Sequence, residues 1–373
     1  MFKFSAPASL AIGLFSLALG GTTIRAAERP DVIPFSTGKP KLVGAAAMQR
    51  VYDEVKTPFK YGVVLRGETG ELLDCPNVFR RDGRWYMVYI ANKDNVGYQT
   101  CLARSDDLLH WEKLGVILPF RPGTWDAWQA AGGLALYDTR WDGTHELATH
   151  DGRYWLSYLG GAKQGYEPDP LAIGLAHTDD PTAAREWTRL AENPVLTPDQ
   201  RDARDFEHVT LYKSAIIRDE SRTLGAPFVM FYNGKSAPYG VETIGLALSD
   251  DLRSWRRFGR GPVVANIGSA APWAISGDPQ IVRLGDVWVM FYFGAFWKPG
   301  AFDTFACSYD LVHWTKWDGP HLVAPSEPYD KQFAHKPWLL KHDGVVYHFY
   351  CAVGTEGRVI ALATSQDLSS QRK

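Results

Sequence analysis

Trp85-Tyr86-Met87-Val88-Tyr89 is a short aromatic strand that returns four more times along the 373-residue chain. The other copies are Tyr154-Trp155-Leu156-Ser157-Tyr158, Phe228-Val229-Met230-Phe231-Tyr232, Trp288-Val289-Met290-Phe291-Tyr292 and Val346-Tyr347-His348-Phe349-Tyr350. Three of the five follow an Asp-Gly pair (Asp82-Gly83, Asp151-Gly152, Asp343-Gly344), the sequence of a two-residue hairpin turn. Downstream of each terminal tyrosine comes a second strand with Ala and then Ser or Thr two residues on: Ala103/Ser105, Ala176/Thr178, Ala247/Ser249, Ala306/Ser308 and Ala363/Ser365. An Asp-Leu-x-x-Trp turn follows in three repeats (Asp107 to Trp111, Asp251 to Trp255, Asp310 to Trp314), with Asp180-Pro181 leading to Trp187 as a variant. Val-rich segments at 115–118, 194–196, 262–264 and 321–323 read as a fourth, outer strand.

Repetition of this kind, with the alanines 57 to 73 residues apart, describes propeller blades and not a sandwich. The expected fold is all-β: a five-bladed β-propeller of four-stranded antiparallel blades over residues 60–373. The fifth repeat stops after its third strand. Tyr61-Gly62-Val63-Val64-Leu65, ahead of the first repeat, has the missing outer-strand sequence. That N-terminal strand is expected to pair around Val359 to Ala363 and close the ring, which protects its edges. Only Ala45 to Val55, in the 27–59 segment, reads as helical.

Net charge is -2 from 40 Lys+Arg against 42 Asp+Glu, which gives no ground for a nucleic-acid or anionic-membrane partner. The 14 Trp and 17 Tyr suit either a stacked β core or a sugar-binding surface. Lys3, the apolar run Leu10 to Leu19 and small residues around Ile24-Arg25-Ala26 read as a signal peptide over 1–26, implying export to the periplasm or medium. No later segment is long and apolar enough to span a bilayer. Cys75, Cys101, Cys307 and Cys351 have no CxxC spacing, which argues against zinc. They are expected to be buried thiols, Cys75–Cys101 being the one pairing to entertain. A monomer is expected.

The innermost strand of each blade lines the channel, and the stretches that begin those strands are polar here. They include Glu71 and Asp74, Asp126, Asp205 and Glu207, Asp278, and His335-Lys336. Carboxylates converging on a narrow channel repel and lose solvation, so their pKa values separate. Glycoside hydrolysis needs that division between an ionised base and a protonated acid.

The blade grammar, with Asp-x-Pro-x-Val before Trp-Tyr-Met-x-Tyr and the Ser-x-Asp-Leu-x-x-Trp turns, resembles the five-bladed propeller glycosidases. These include arabinanases, β-xylosidases, arabinofuranosidases, invertases and mannoside phosphorylases. The resemblance covers about residues 60 to 370. It implies Asp74 as general base, Glu207 as general acid with Asp205 next in line, and a second-blade Asp that orients and tunes. For the last, Asp126 is favoured over Asp142 because Trp125 and Trp128 flank it. Trp125, Trp128 and Trp273 are candidates for sugar stacking. Asp278 is a candidate hydrogen-bond acceptor for substrate. His335, in the register of Asp74, and Lys336 beside it are candidate substrate contacts, and Lys213 matches the third-blade position. The function implied is an exported glycoside hydrolase acting with inversion. A phosphorylase with phosphate on His335, Lys336 and Lys213, or a non-catalytic glycan-binding propeller, stays open. No metal site is read and no cofactor is called for, although the channel would admit a structural calcium.

Overall fold

A computed structural model describes residues 40–238, 240–266 and 273–372. The expected signal peptide lies outside the described residues. Helix α1 (Ala45–Val55) is followed by β1 (Phe59–Leu65) and then by five antiparallel units. The first unit is β2 (Glu71–Arg81), β3 (Arg84–Lys93), β4 (Tyr98–Ser105) and β5 (Glu112–Leu118). The second is β6 (Gln129–Leu134), β7 (Tyr154–Gly161), β8 (Ala172–Thr178) and β9 (Thr188–Arg189). The third is β10 (Thr210–Arg218), β11 (Phe228–Lys235), β12 (Glu242–Ser249) and β13 (Arg256–Phe258). The fourth is β14 (Ile275–Leu284), β15 (Val287–Ala295), β16 (Ala301–Ser308) and β17 (Thr315–Lys316). The fifth is β18 (Phe333–His342), β19 (Val345–Gly354) and β20 (Gly357–Thr364), completed by β1. β1 runs antiparallel to β20, with Lys60 opposite Ala363 and Val63 opposite Ala361, as its sequence implied.

The five aromatic stretches are the second strands, buried along almost their whole length. In all three Asp-Gly turns both residues are left-handed, from φ 51° and 79° at Asp82-Gly83 to 48° and 77° at Asp343-Gly344. This is the twist a two-residue hairpin requires. The Asp-Leu-x-x-Trp segments are tight turns. Asp107 accepts the Leu109 and His110 amides, and the Trp111 indole donates to the Leu108 carbonyl. Asp251 and Asp310 repeat the arrangement.

The outer strands differ from expectation in units two to four. There β9, β13 and β17 are two or three residues placed directly after the turn. The Val-rich segments supply one bridge each: Ile173 to Leu196, Ile244 to Val264 and Asp303 to Val323. The tight turn returns the chain at once beside the third strand, and Pro194 and Pro262 lack the amide that a longer ladder needs.

Each inner strand packs on the next: β2 on β6, β6 on β10, β10 on β14, β14 on β18, and β18 on β2. Helix α1 buries Met48, Val51 and Val55 against Val282, Val289 and Leu339, on the outside of units four and five. All four cysteines are buried and free, so Cys75 and Cys101 are not bridged. Among the described residues no helix is long and apolar enough to cross a membrane.

Candidate active site

Four of the five inner strands carry the same irregularity at the same place. Between Asp74 and Asn77, Leu211 and Ser214, Gly277 and Gln280, and His335 and Trp338, two residues on the inner strand face one on its partner. Such a bulge inserts one residue and re-aims the side chains around it. In three of the four the inserted dipeptide is a residue at positive φ followed by proline: Cys75 (50°), Asp278 (51°) and Lys336 (64°). Non-glycine residues adopt this conformation at a cost of roughly 1–2 kcal/mol, and such positions cluster at functional sites.

Three of the four bulges, those of β10, β14 and β18, open onto a cavity of about 440 Å³ lined by Lys213, Asp278, His335 and Lys336 from inner strands. Lys235 and Glu242 line it from the facing ends of β11 and β12, Arg358 from β20, and Tyr166 and Glu167 from the β7–β8 segment. Phe293, Phe296 and Phe333 form an aromatic wall. Phe296 is 38% and Tyr166 44% exposed. Trp273, 53% exposed, leads into β14 one residue before Ala274, whose carbonyl accepts the Glu242 amide at 3.0 Å.

Asp74 does not line this cavity. It is fully buried behind it, its Oδ2 accepting Lys336 Nζ at 2.9 Å and Arg358 Nη1 at 2.7 Å, and its Oδ1 accepting the Cys75 amide at 2.9 Å. Burial pushes its carboxyl up, but Lys336 and Arg358 more than reverse this and hold it well below the carboxylate range. Asp74 thereby fixes two cations at the cavity floor. His335, in its register as expected, is neutral. Burial and then Arg358 bring its pKa down to about 3, and Nδ1 lies 3.1 Å from the Cys351 carbonyl. Asp278 takes the Cys75 thiol at 3.3 Å and the Asn233 amide group at 3.4 Å.

Glu207 is placed elsewhere. It is fully buried and accepts five hydrogen bonds: the Arg204 amide (2.9 Å), Arg204 Nε (2.8 Å) and Nη2 (3.3 Å), Arg257 Nε (2.8 Å) and the Tyr232 hydroxyl (2.5 Å). Burial works to raise its pKa, but the two guanidinium groups and the hydroxyl lower it, so its carboxyl stays ionised and shielded. Asp126 repeats the pattern in unit two, accepting Tyr158 Oη at 3.0 Å, Arg189 Nε at 2.7 Å and Thr124 Oγ1 at 2.6 Å. In unit five Asp330 takes Tyr350 Oη at 2.9 Å and pairs with Lys60 of β1. In unit four the neutral Asn266 bonds Tyr292 Oη at 3.1 Å. In unit one Glu71 pairs with Lys113 of β5 at 2.9 Å. These acids, or the amide, sit at or before the inner strand in every unit. In three of them they tie the terminal tyrosine of the second strand to a cation on the outer strand. An arrangement repeated around the fold serves each unit's packing.

Trp125 stacks on Tyr158 at 5.7 Å and Trp128 lies 5.4 Å from Phe120, neither lining the cavity. Asp205 is exposed and also does not line it. Asp142 is exposed and pairs with Lys341.

The carboxyls that do meet in the cavity are Glu242, Glu167 and Asp278. Burial and then the charge on Glu167 push Glu242 up to about 8. Burial also raises Glu167, with Lys336 pulling the other way. Neither glutamate follows from the repeat grammar. Glu242 is the one acid at the first position of a third strand, and Glu167 sits in Tyr166-Glu167-Pro168-Asp169-Pro170 between strands, a local excess of proline and acid that was the available signal. Among the described residues no group of three or more His, Cys, Asp or Glu has metal-binding geometry.

No family model matches the chain. Two solved structures are 46% identical to it, each covering 87% of this chain and 96% of its own. One is described as a BT0996 complex with RGII (TM-score 0.84) and the other as a glycoside hydrolase (TM-score 0.83). At 13% identity, a thermostable family-43 glycoside hydrolase shares the fold with TM-score 0.59, over 84% of this chain and 94% of its own. Among curated proteins, the uncharacterized protein Rv1502 of Mycobacterium tuberculosis is 28% identical over 187 residues, 48% of this chain. The 6(G)-fructosyltransferase of Asparagus officinalis is 31% identical over 119 residues, 31% of this chain. The matches span 58% and 17% of the length of those two curated relatives.

Proposed function

Since the chain belongs to the β-propeller glycoside hydrolases, we propose that it is an exported five-bladed enzyme that hydrolyses a glycosidic bond in the cavity between Glu242 and Glu167. The observation that carries this assignment is the pair itself. Two glutamates share one cavity, and their surroundings divide them. Glu242, whose carboxyl is raised to about 8, holds its proton at neutral pH and serves as general acid to the leaving oxygen. Glu167 is raised by burial as well, but Lys336 and Arg358 oppose the rise; it is assigned as general base to water. Inversion is the proposed course. The cavity's roughly 440 Å³ takes a sugar ring and, beside it, the roughly 30 Å³ of one water.

Asp74 acts from behind in this reading, holding Lys336 and Arg358 where they meet the hydroxyls or carboxylate of the sugar. Glu207 and Asp126 are assigned to the packing of their units. The exposed aromatic side chains that line the cavity, Tyr166 and Phe296, offer faces for the next sugar. A glycan of the RGII kind is the proposed substrate class, on the strength of the 46% identity to the structure of the BT0996 complex. Phosphorolysis is the second reading, because Lys213, Lys336 and Arg358 converge on the same cavity. The test is a screen of the purified protein against aryl-glycosides and RGII oligosaccharides, with and without inorganic phosphate. Free reducing sugar independent of phosphate supports hydrolysis. A sugar phosphate supports the second reading, and no turnover in either arm overturns both.

A further inference from the structure

Lys235 and Glu242 are the last residue of β11 and the first of β12, and they stand directly opposite each other in the ladder. Opposite charges at such a site form a cross-strand ion pair when left to themselves. Here the lysine turns away. Its Nζ lies 2.7 Å from Asp169 Oδ2 and 3.2 Å from the Tyr212 hydroxyl. Among the described residues Glu242 has no ion-pair partner. Asp169, on the β7–β8 segment, has its other carboxyl oxygen buried without a hydrogen-bond partner, so its side-chain bonding is given to this lysine. Asp169 does not line the cavity.

We propose that Asp169 is a positioning residue for the general acid: it captures the Lys235 ammonium and so keeps that cation from pairing with Glu242. The inference rests on Glu242 being the acid. A glutamate paired with lysine at this short range would be ionised at neutral pH and have no proton to give. The other groups facing Glu242 are Glu167 from the β7–β8 segment, Asp278 from the β14 bulge, Lys336 from the β18 bulge and Tyr212 of β10. The two carboxylates raise its pKa, and Lys336, the other cation among them, is itself held by Asp74. Lys235 and Lys336, the two cations that act on the acid, are therefore each tethered to a carboxylate other than Glu242. The β7–β8 segment supplies both Glu167 and the residue that keeps Glu242 protonated.

The experiment is the pH dependence of kcat/KM on an aryl-glycoside with a poor leaving group, for the native enzyme, Asp169→Asn, Lys235→Met, the double variant and Glu242→Gln. In Asp169→Asn the freed lysine reaches Glu242, and the alkaline limb moves down by about one pH unit, a roughly tenfold loss above the limb. Lys235→Met leaves the limb in place or moves it up, and the double variant returns it to the native position or above. That rescue separates the effect from damage to the fold. An Asp169→Asn limb that superimposes on the native one, or a double variant that stays shifted down, overturns the inference. If Asp169→Asn does not fold, a downward move in Lys235→Met does the same. Retention of native activity by Glu242→Gln sinks the assignment of the acid itself. Loss of activity in Glu242→Gln beside an unmoved Asp169→Asn limb sinks only the role of Asp169.

Discussion

Replacing Glu207 by Gln should cost stability, and replacing Glu242 by Gln should cost rate. The contrast tests which glutamate is the acid. Glu207 balances two buried guanidinium groups, Arg204 and Arg257, through five hydrogen bonds. Its amide would leave Arg204 without a carboxylate partner in a site closed to solvent, Arg257 keeping Asp202 at 2.6 Å, which costs about 3–5 kcal/mol. With about 330 described residues at ~2.1 cal/mol/K each, the unfolding entropy is about 0.7 kcal/mol/K, so Tm should fall by about 4–7 °C. The sign with pH follows from linkage. Glu207 has a lowered pKa when folded, so its contribution is present above the unfolded value near 4.3 and is lost as pH falls toward the folded one. The Tm gap between native protein and Glu207→Gln should therefore close in acid. Glu242→Gln removes a carboxyl that burial already keeps neutral. Its Tm should match the native within about a degree, while kcat/KM on a poor leaving group drops about 10²–10⁴-fold. Calorimetry and initial rates on the same preparations decide the matter. Glu207→Gln with an unchanged Tm and a thousandfold rate loss would refute the reasoning and restore Glu207 as the acid.

In the native enzyme kcat/KM should fall as pH rises through about 8, because the acid must carry its proton, and the limb should be absent for an aryl-glycoside whose leaving group needs no protonation. Proton NMR of fresh product should show the anomer opposite to the substrate's; release of the same anomer would make Glu167 a nucleophile. Phe296→Ala should raise KM for an oligosaccharide by roughly 2–10-fold, the value of one aromatic contact, and leave an aryl-monoglycoside nearly unaffected; equal effects on both would place the ring off the path of the second sugar. Deleting the chain through Leu65 removes β1 and the Lys60–Asp330 pair, so a single cooperative transition should move to lower temperature; fraying confined to β20 would show that the fifth unit stands without its outer strand.

What the sequence determined by itself was the repeat. Hairpin turns, tight Ser-x-Asp turns and buried aromatic strands are local features, and each local signal recurs three to five times, which is why the strand order, the helix Ala45–Val55 and the pairing of residues 61–65 with β20 were legible in advance. The same repetition drew in Glu207 as the candidate acid, a residue that does not line the cavity. Glu207 and Asp126 stand at corresponding places in their units because those places hold the terminal tyrosines, and a residue that recurs for packing looks, in sequence, like one that lines a channel. Only the tertiary structure decided which carboxyls face the cavity. At the bulges Asp278 and Lys336 take left-handed backbone and reach the cavity wall, while Asp74 lies buried behind Lys336 and Arg358. Glu242 and Glu167 come from a strand end and a connecting segment about 75 positions apart, and no local pattern sets their proximity. Burial and the tethering of nearby cations give them different proton affinities, and both are properties of the packed molecule.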